Sequence, residues 1–179
     1  MARIWPRSLP HGLGNKFYNK VIKIRSQTGY RRDDSNVKIL ALIPARSGSK
    51  SLRDKNILPI SGKPMLAFSI EHALASQYIN RVIVSTDSEK YRQIALSFGA
   101  EVPFMRPTEY ARDLSPDIEV FITALQWLEL NEKYQPEIGV HLRPTCPIRQ
   151  ADDMDRRIEI LLSERVVDCV RSIQTAWEH

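Results

Sequence analysis

Beyond Val37 the chain alternates between short apolar runs and amphipathic segments, and this alternation restricts the fold more than any other feature of the sequence. Short apolar runs bounded by turn residues predict buried strands, whereas apolar residues recurring every three or four positions predict helices. Strands that alternate with helices over connections of this size predict a parallel sheet with right-handed crossovers. We therefore predict an α/β protein: an open, mostly parallel sheet with helices on both faces.

The pattern places each element along the chain. The predicted strands are Lys38–Ile43, Arg81–Ser85, Glu101–Met105, Ile138–Leu142 and Val166–Ser172. The predicted helices are Pro64–Gln77, Ser88–Phe98, a helix from about Ser115 to Leu130, and Ala151–Leu162. Either Asp87 or Ser88 is suited to cap the second helix, and Gly99 is suited to end it. On the first helix, the residues expected on the buried face are Leu66, Ile70, Ala73 and Leu74.

Basic residues are concentrated at the start of the chain. Residues 1–32 hold eight Lys/Arg and no Asp or Glu, which leaves 18 basic and 21 acidic residues, a charge of −3, for residues 33–179. The net charge of +5 therefore belongs to the N-terminal segment. We interpret residues 1–37 as a basic extension without fixed structure and residues 38–179 as the α/β domain. A targeting peptide and a weak arm for nucleic acid or membrane surfaces are the alternatives for residues 1–32.

The two cysteines and the hydropathy limit the cellular setting. Cys146 and Cys169 show neither metal-ligand spacing nor a disulfide-rich pattern, which suits a reducing compartment. No apolar run approaches the roughly 20 residues that cross a bilayer. We expect a soluble, cytoplasmic protein that binds neither membranes nor nucleic acid.

Polar clusters follow three predicted strands, at residues 45–56, 86–87 and 143–149. Ligands of open α/β sheets bind beyond the carboxyl ends of the strands, so we expect the three clusters to converge. The first cluster combines small residues with cations, a composition that suits a nucleoside triphosphate; a basic surface loop without a ligand is the alternative. Neither the Walker A spacing nor the dinucleotide fingerprint is present, which argues against P-loop ATPases and NAD enzymes.

The string Ile-Pro-Ala-Arg-Ser-Gly-Ser-Lys that begins at Ile43 resembles the acylneuraminate cytidylyltransferases. The similarity continues in the same order through Lys55-Asn56-Ile57, Gly62-Lys63-Pro64-Met65-Leu66, Val82–Asp87, Phe98–Phe104, Arg106-Pro107-x-Glu109 and Leu142–Arg149. It covers about Lys38 to the C-terminus. The resemblance implies a nucleotide-diphosphosugar-transferase-like, Rossmann-like fold. It also implies Mg²⁺-dependent transfer of CMP from CTP to the anomeric hydroxyl of a 2-keto-3-deoxy acidic sugar, with release of pyrophosphate.

The resemblance also implies roles for individual residues. The implied catalytic residues, which stabilise phosphate charge, are Arg46, Lys50 and Lys55. The implied nucleotide-binding residues are Ala45, Ser47, Ser49, Asn56, Arg106 and Asp117, the last at a position where the family usually has a hydroxyl. The implied sugar-binding loop contains Arg143, Pro144, Thr145, Cys146 and Arg149, with Arg143 or Arg149 pairing with the sugar carboxylate.

Alternatives remain at several of these positions. Arg106 and Arg149 are alternatively interpreted as solvated surface charges. Asp87 is interpreted equally well as the N-cap of a helix or as a ligand-binding residue, and Cys146 as a small buried side chain without a chemical role. His72 and His141 are interpreted as core or surface residues.

Family members continue beyond the position of His179, with a dimerisation segment and the aspartates that hold Mg²⁺. We therefore expect a truncated family member or a fragment, with no metal ligands of its own within the chain and with CTP and an acidic nonulosonic-type sugar as partners. A homodimer is implied for the full-length family. The alternatives are a non-catalytic nucleotide-binding remnant of that family and, in a different class, a nucleic-acid-binding protein that uses the basic arm.

Overall fold

The strands and helices follow the predicted alternation. The structure is a computed structural model and describes residues 20–23 (backbone only), 37–49, 52–107, 117–150, 152–164 and 166–172. Its strands are β1 (Lys20–Lys23), β2 (Ile39–Pro44), β3 (Pro59–Ile60), β4 (Lys63–Pro64), β5 (Arg81–Ser85), β6 (Ile138–His141) and β7 (Cys169–Arg171). Its helices are α1 (Met65–Leu74), α2 (Glu89–Ser97), α3 (Asp117–Glu132) and α4 (Asp153–Ser163), and Lys55–Ile57 forms a single 3-10 turn.

A five-stranded sheet in the order β5-β2-β6-β1-β7 forms the centre of the protein. Strand β2 pairs in parallel with β5 on one side and with β6 on the other. The chain therefore moves outward from β2 to β5 and returns past β2 to β6, so that the strand order reverses at β2. Ligands of such sheets bind at this reversal, beyond the carboxyl ends of the strands. The α/β fold with a mostly parallel sheet is confirmed.

The two faces of β2 bury different helices. Ile39, Ala41 and Ile43 pack on one face with residues of α1, α2 and α4. Leu40 and Leu42 pack on the other face with residues of α3. Successive side chains of a strand point to opposite faces, and a strand covered on both sides therefore needs an unbroken apolar run. The sequence of β2 meets that requirement, and the prediction of helices on both faces is correct.

Helix α2 begins and ends as its sequence predicts. The Ser88 hydroxyl accepts a hydrogen bond from the N–H of Tyr91 at 3.5 Å, which makes Ser88 the N-cap. After the helix, Gly99 has φ of +88°, a left-handed conformation that favours glycine. None of the helices in the described ranges is long and apolar enough to cross a membrane.

Two predicted strands are shorter in the structure. The predicted strand Glu101–Met105 is reduced to a single bridge between Glu101 and Ile83. Pro103 has no N–H to donate, so the ladder cannot continue beyond this bridge. The last strand covers Cys169–Arg171 instead of Val166–Ser172.

The end of helix α1 also differs from the prediction, and with it one core residue. Helix α1 ends at Leu74 instead of Gln77, and the Ser76 hydroxyl accepts the N–H groups of Tyr78 and Ile79 in place of a further helical turn. Leu74, at the end of the helix, is half exposed, so its predicted burial is wrong, whereas Leu66, Ile70 and Ala73 are buried. The start of α3 was predicted near Ser115, which lies outside the described residues.

Residues Lys20–Lys23 form β1 within the segment predicted to lack fixed structure. This strand pairs antiparallel with both β6 and β7. Its sequence Lys-Val-Ile-Lys contains two adjacent β-branched residues, which favour strands. The expectation of an unstructured segment is wrong for these four residues. The other residues of the segment up to 36 lie outside the described ranges, and the boundary between extension and domain stays a prediction.

Arg81 organises the edge of the sheet opposite the carboxyl ends of the parallel strands. Its Nε donates to Glu101 Oε1 at 2.8 Å, and its Nη1 donates to Glu132 Oε2 at 2.6 Å. The guanidinium also lies over the ring of Tyr134, 5.0 Å from the ring centroid. The bond to Glu101 is the largest cause of a raised pKa of Arg81. This cluster connects the start of β5 to the end of α3.

We expect Arg81→Ala to lower the free energy of unfolding by about 2 kcal/mol, because two carboxylates and an aromatic ring lose one shared partner. Urea unfolding measures the change. The control is Arg92→Ala, which removes an exposed pair with Glu89 in α2 and should cost no more than about 0.5 kcal/mol. Equal losses in the two variants would show that the Arg81 cluster adds nothing beyond an ordinary surface pair.

Candidate functional site

The loops that follow β2, β5 and β6 meet at one edge of the sheet, as the sequence predicts. The N–H of Ala45 donates to the carbonyl of Ser85 at 2.9 Å, which carries the pairing with β5 one residue past the end of β2. The guanidinium of Arg106 is close enough to Arg46, Asp87 and Asp117 to interact with all three charges. Ser47 binds Asp87, and Asp117 binds Arg143 of the third cluster, so the three polar clusters form one site.

Asp87 fixes the loop after β2. Its Oδ1 accepts the N–H of Ser47 at 2.8 Å, and its Oδ2 accepts the Ser47 hydroxyl at 3.1 Å. The N-cap of α2 is Ser88, so the N-cap interpretation of Asp87 is wrong. Asp87 instead joins the loop after β5 to the loop after β2, a role that the sequence analysis did not foresee. The sequence did contain a signal for this role: Ser88 can cap the helix by itself, which leaves the carboxylate of Asp87 at the strand end available for another contact.

The far end of the same loop is held by Asn56 and Asp54. Asn56 is buried, and its Nδ2 donates to the carbonyl of Arg46 at 3.0 Å. Asp54 adopts φ of +55° and accepts bonds from the hydroxyl of Tyr91 and from Lys90 Nζ, both at 3.3 Å. Burial, together with the charge of Asp54, raises the pKa of Tyr91, which keeps its hydroxyl protonated as a donor. The loop is thus attached both to its own start and to α2.

Two of the three predicted cations of the loop, Arg46 and Lys55, lie on this attached frame. Arg46 and Lys55 are partly exposed, and Ser49 closes a tight turn by donating its N–H to the carbonyl of Ser47 at 2.9 Å. Lys50 lies outside the described residues, so its predicted catalytic role stays a prediction. The N–H groups of Ala45 and Ser47 both donate within the protein.

Arg106 is an internal cation. Its side chain is buried, its Nε donates to the Ser85 hydroxyl at 3.1 Å, and its Nη2 donates to the Ser85 carbonyl. Its own N–H donates to the carbonyl of Thr86 at 2.7 Å. Burial lowers the pKa of Arg106 to about 10, against the attraction of Asp87 and Asp117, so the group stays charged at neutral pH. The interpretation as a solvated surface charge is wrong.

A predicted nucleotide-binding residue and a predicted sugar-binding residue bind each other. Asp117 is the first residue of α3, and its Oδ2 accepts Arg143 Nε at 2.9 Å together with Arg143 Nη2. Both side chains are about a quarter exposed. The negative charge of Asp117 is therefore partly neutralised by a residue of the loop after β6. The roles that the resemblance implies for these two residues stay predictions.

Arg149 holds the loop after β6 in place. Its Nη2 donates to the carbonyl of Arg143 at 2.6 Å, and its Nη1 donates to the hydroxyl of Ser69 in α1 at 3.1 Å. Its carbonyl lies 3.2 Å from Nε2 of His72. Burial lowers the pKa of Arg149. These contacts place the guanidinium under the loop, so the interpretation of Arg149 as a solvated charge is wrong.

The remaining residues of this loop differ in exposure. Pro144 is buried, Cys146 is half-buried and Thr145 is exposed. The N–H of Cys146 donates to the carbonyl of Arg143 at 3.2 Å, which closes a turn. Thr145 is thus the predicted sugar-binding side chain most open to a ligand.

His141, the last residue of β6, is a buried polar residue beside the site. Its ring packs edge-on against Phe121 at 5.2 Å between centroids, and its Nε2 lies 3.7 Å from Asp117 Oδ2. Among the described residues, no group forms a hydrogen bond with this Nε2. Burial lowers the pKa of His141 to about 4, so the ring is neutral at neutral pH. The interpretation as a core residue is confirmed.

The described residues do not fit a magnesium site built by the protein. In the ranges that the structure covers, no three His, Cys, Asp or Glu side chains are grouped so that they could hold a metal ion. The Mg²⁺ that the resemblance implies therefore stays a proposal.

Comparison with known proteins places the chain in a family. The profile of the cytidylyltransferase family matches residues 40–172. The chain belongs to this family. The match begins at the second residue of β2 and ends after β7, so it includes all three loops of the site.

Individual relatives agree with the cytidylyltransferase assignment. The chain is 40% identical over 136 residues to the N-acylneuraminate cytidylyltransferase of Escherichia coli, which covers 76% of this chain and 31% of that protein. It is 36% identical over 124 residues to the CMP-N,N'-diacetyllegionaminic acid synthase of Legionella pneumophila, covering 69% and 53%. The chain thus spans between about a third and a half of the length of these curated relatives.

Solved structures share the cytidylyltransferase fold. A CMP:2-keto-3-deoxy-manno-octonic acid synthetase complexed with CTP aligns with a TM-score of 0.59 at 25% identity, over 73% of this chain and 49% of that one. A cytidylyltransferase from Leptospira borgpetersenii aligns with a TM-score of 0.57 at 26% identity, over 73% and 51%.

Removing the carboxylate of Asp87 should release the loop after β2 in this chain. In Asp87→Ala, the N–H of Ser47 loses a charged acceptor, and we expect its hydrogen exchange to become at least about tenfold faster. Exchange followed by NMR measures this change. The control Ser88→Ala removes the neighbouring N-cap and should speed exchange at the start of α2 only. Unchanged exchange at Ser47 in Asp87→Ala would contradict the proposed attachment.

The buried His141 should make the stability of the folded chain sensitive to acid. The unfolded chain binds a proton at this ring near pH 6.5 and the folded chain only near pH 4, so stability is highest above 6.5 and falls as the pH is lowered through this window. Between about pH 7 and pH 5, we expect wild type to lose about 2 kcal/mol more than His141→Phe. Urea unfolding at both pH values measures the difference. Parallel losses in the two proteins would show that His141 does not titrate in this window.

Proposed function

We propose that this chain binds CTP and takes part in transferring CMP to the anomeric hydroxyl of a 2-keto-3-deoxy acidic sugar, with release of pyrophosphate. The observation that carries the proposal is the loop after β2, which holds cations on a frame fixed by Asp87 and lies beside the loop after β6. The names of the relatives support it, since they are synthases and transferases that join CMP to acidic sugars. The CTP complex of a structural neighbour supports the nucleotide.

The loop after β2 suits the triphosphate and the base. Nucleotidyl transfer depends on positioning and on neutralising the charge of the phosphates. Arg46 and Lys55 supply that charge from the described part of the loop, and we assign Lys50 to the same task. Because the N–H groups of Ala45 and Ser47 donate within the protein, we assign recognition of the cytosine amino group to the carbonyl oxygens of this segment.

The loop after β6 suits the acidic sugar. Arg143 donates from its Nε and Nη2 to the carboxylate of Asp117, and the same guanidinium edge is complementary to a sugar carboxylate. Thr145 is exposed and offers a hydroxyl for the polar groups of a sugar. Arg149 and Ser69 hold the backbone of this loop and so act by positioning.

The proposed reaction is a substitution at the α-phosphorus of CTP. The anomeric oxygen of the sugar bonds to this phosphorus, the bond to the β-phosphate oxygen breaks, and pyrophosphate leaves with the negative charge that Arg46 and Lys55 stabilise. The hydroxyl proton is lost to solvent or to a base. We treat Mg²⁺ as part of the substrate Mg·CTP, since this ion is usually held by substrate phosphates and water, with only one or two carboxylates from the protein.

The proposal is tested by binding and by turnover. Isothermal titration measures CTP binding to the purified chain, with GTP as the control nucleotide. Pyrophosphate release is then measured with CTP, Mg²⁺ and N-acetylneuraminate, and with 2-keto-3-deoxy-manno-octonate in a parallel reaction. Turnover with an acidic sugar is the expected result. Binding of CTP without turnover of either sugar would identify a nucleotide-binding module instead, and the absence of CTP binding would overturn the proposal.

Arg46→Ala should weaken CTP binding by about tenfold or more, because a charge-assisted contact to phosphate is lost. Isothermal titration measures the dissociation constant. The matched control is Arg53→Ala, which removes the same charge from an exposed position on the same loop and should change the constant by no more than about threefold. Equal effects of the two substitutions would mean that the loop attracts CTP only through its overall charge.

A further inference from the structure

The carboxylate of Asp117 occupies the atoms of Arg143 that an acidic ligand would use. Its Oδ2 accepts the Nε of Arg143 at 2.9 Å and also accepts Nη2, so one edge of the guanidinium faces a protein carboxylate. The two residues come from different elements, Asp117 from the start of α3 and Arg143 from the loop after β6. Their pair is partly exposed, which leaves it within reach of a competing carboxylate.

A second partner for Asp117 lies beside this pair. His141 Nε2 is 3.7 Å from the same Oδ2, too far for a hydrogen bond, and no described group bonds to this nitrogen. The ring is almost completely buried, so water does not replace the missing partner freely. Buried polar atoms are nearly always hydrogen-bonded, and a shift of about 1 Å by the carboxylate would satisfy this one.

We propose that Asp117 is an internal competitor for Arg143, displaced by the carboxylate of an acidic sugar and then received by Nε2 of His141. This inference rests on the proposed function, because it takes the acidic sugar as the ligand of the loop after β6. Asp117 and His141 act as positioning residues: neither forms a bond to the reacting atoms.

The exchange selects for charge on the ligand. On Arg143, the sugar carboxylate takes the place of the Asp117 carboxylate, so the charge of the guanidinium stays paired. The released Asp117 carboxylate then accepts a hydrogen bond from Nε2 of His141. A neutral sugar of the same shape would bind beside an intact Asp117–Arg143 pair, or would separate the pair and leave Arg143 without an anionic partner. Discrimination then comes from the cost of the wrong ligand as well as from contacts to the right one.

The exchange is also coupled to protons. The charged groups that face His141 are Asp117 from α3 and Arg143 and Arg149 from the loop after β6. An approaching Asp117 raises the pKa of His141, and a substrate carboxylate on Arg143 reduces the opposing positive charge. The sugar-bound form therefore takes up protons more readily than the free form, and sugar affinity should increase as the pH falls below neutral.

The first test follows the Nε–H resonance of Arg143 in the full chain with ¹⁵N-labelled arginine, assigned with Arg143→Lys. N-acetylneuraminate should shift this resonance, whereas its uncharged methyl ester should not.

Asp117→Asn should bind N-acetylneuraminate about fivefold more tightly than wild type, because the competitor has lost its charge. The control Asp152→Asn, which loses an exposed pair with Arg156, should stay within about twofold of wild type. Weaker or unchanged binding by Asp117→Asn, or no binding by it at all, would overturn the proposal.

The second test separates the role of His141 from a structural one. His141→Gln keeps a donor near the position of Nε2 and should retain most of the affinity for N-acetylneuraminate at about pH 7.5. It should lose the increase in affinity between about pH 7.5 and pH 6, since an amide does not titrate. His141→Phe should bind the sugar about fivefold less tightly than wild type, yet be without effect in the Asp117→Asn background. An equal loss in both backgrounds would show that His141 acts only through packing and would overturn its part in the exchange.

The two proposals fail separately. CTP binding to wild type, measured without sugar, reports the proposed function. If CTP binds and Asp117→Asn gains no affinity for the sugar, the exchange alone is wrong. If CTP does not bind and N-acetylneuraminate still displaces Asp117 from Arg143, the exchange stands and the proposed nucleotidyl transfer is wrong.

Discussion

Parallel pairing of β2 with both β5 and β6 is the constraint on which the rest of the structure depends. It brings three carboxyl ends to one edge of the sheet, and each end continues into a polar loop. The bond from the Ala45 N–H to the Ser85 carbonyl extends this pairing past the last residue of β2. Asp87 can then reach Ser47, because the two loops leave the sheet side by side.

Side chains of opposite charge interact with one another along this edge of the sheet and hold its loops in place. The buried Arg106 interacts with the charges of Asp87 and Asp117, and Asp117 in turn binds Arg143. A buried cation near two carboxylates offsets their repulsion of phosphate, which allows anionic side chains to position the loops of a site for an anionic ligand. The family assignment agrees with this arrangement, since the three loops all fall within the matched residues.

The sequence was sufficient where local chemistry decides the structure. The bounds of β5 agree with the prediction residue for residue, and Gly99 takes the left-handed conformation that ends α2. One local signal was overlooked: Pro103 has no N–H, and the predicted strand at Glu101 is a single bridge. The sequence was insufficient where distant segments pair, since Lys20–Lys23 joins β6 and β7 although its surroundings in the sequence show little periodicity.

The same division applies to the site. Convergence of the three loops follows from topology and was predictable, and so was the burial of His141 inside a strand. Which cation pairs with which anion depends on side-chain directions that a sequence does not contain. For this reason the interpretation of Arg149 as a surface charge was wrong, since its guanidinium binds a backbone carbonyl, and the contacts of Asp87 with Ser47 and of Asp117 with Arg143 were not foreseen. The role of Arg149 as a ligand of the sugar stays a prediction.

Hydrogen exchange measured by mass spectrometry with and without CTP tests the central claim, that the three loops form one nucleotide site. The account predicts that CTP protects residues 45–49, 86–88 and 142–149 together and leaves the opposite edge around Arg81 and Glu132 unchanged. Protection confined to a single loop, or protection at the Arg81 edge, would contradict it.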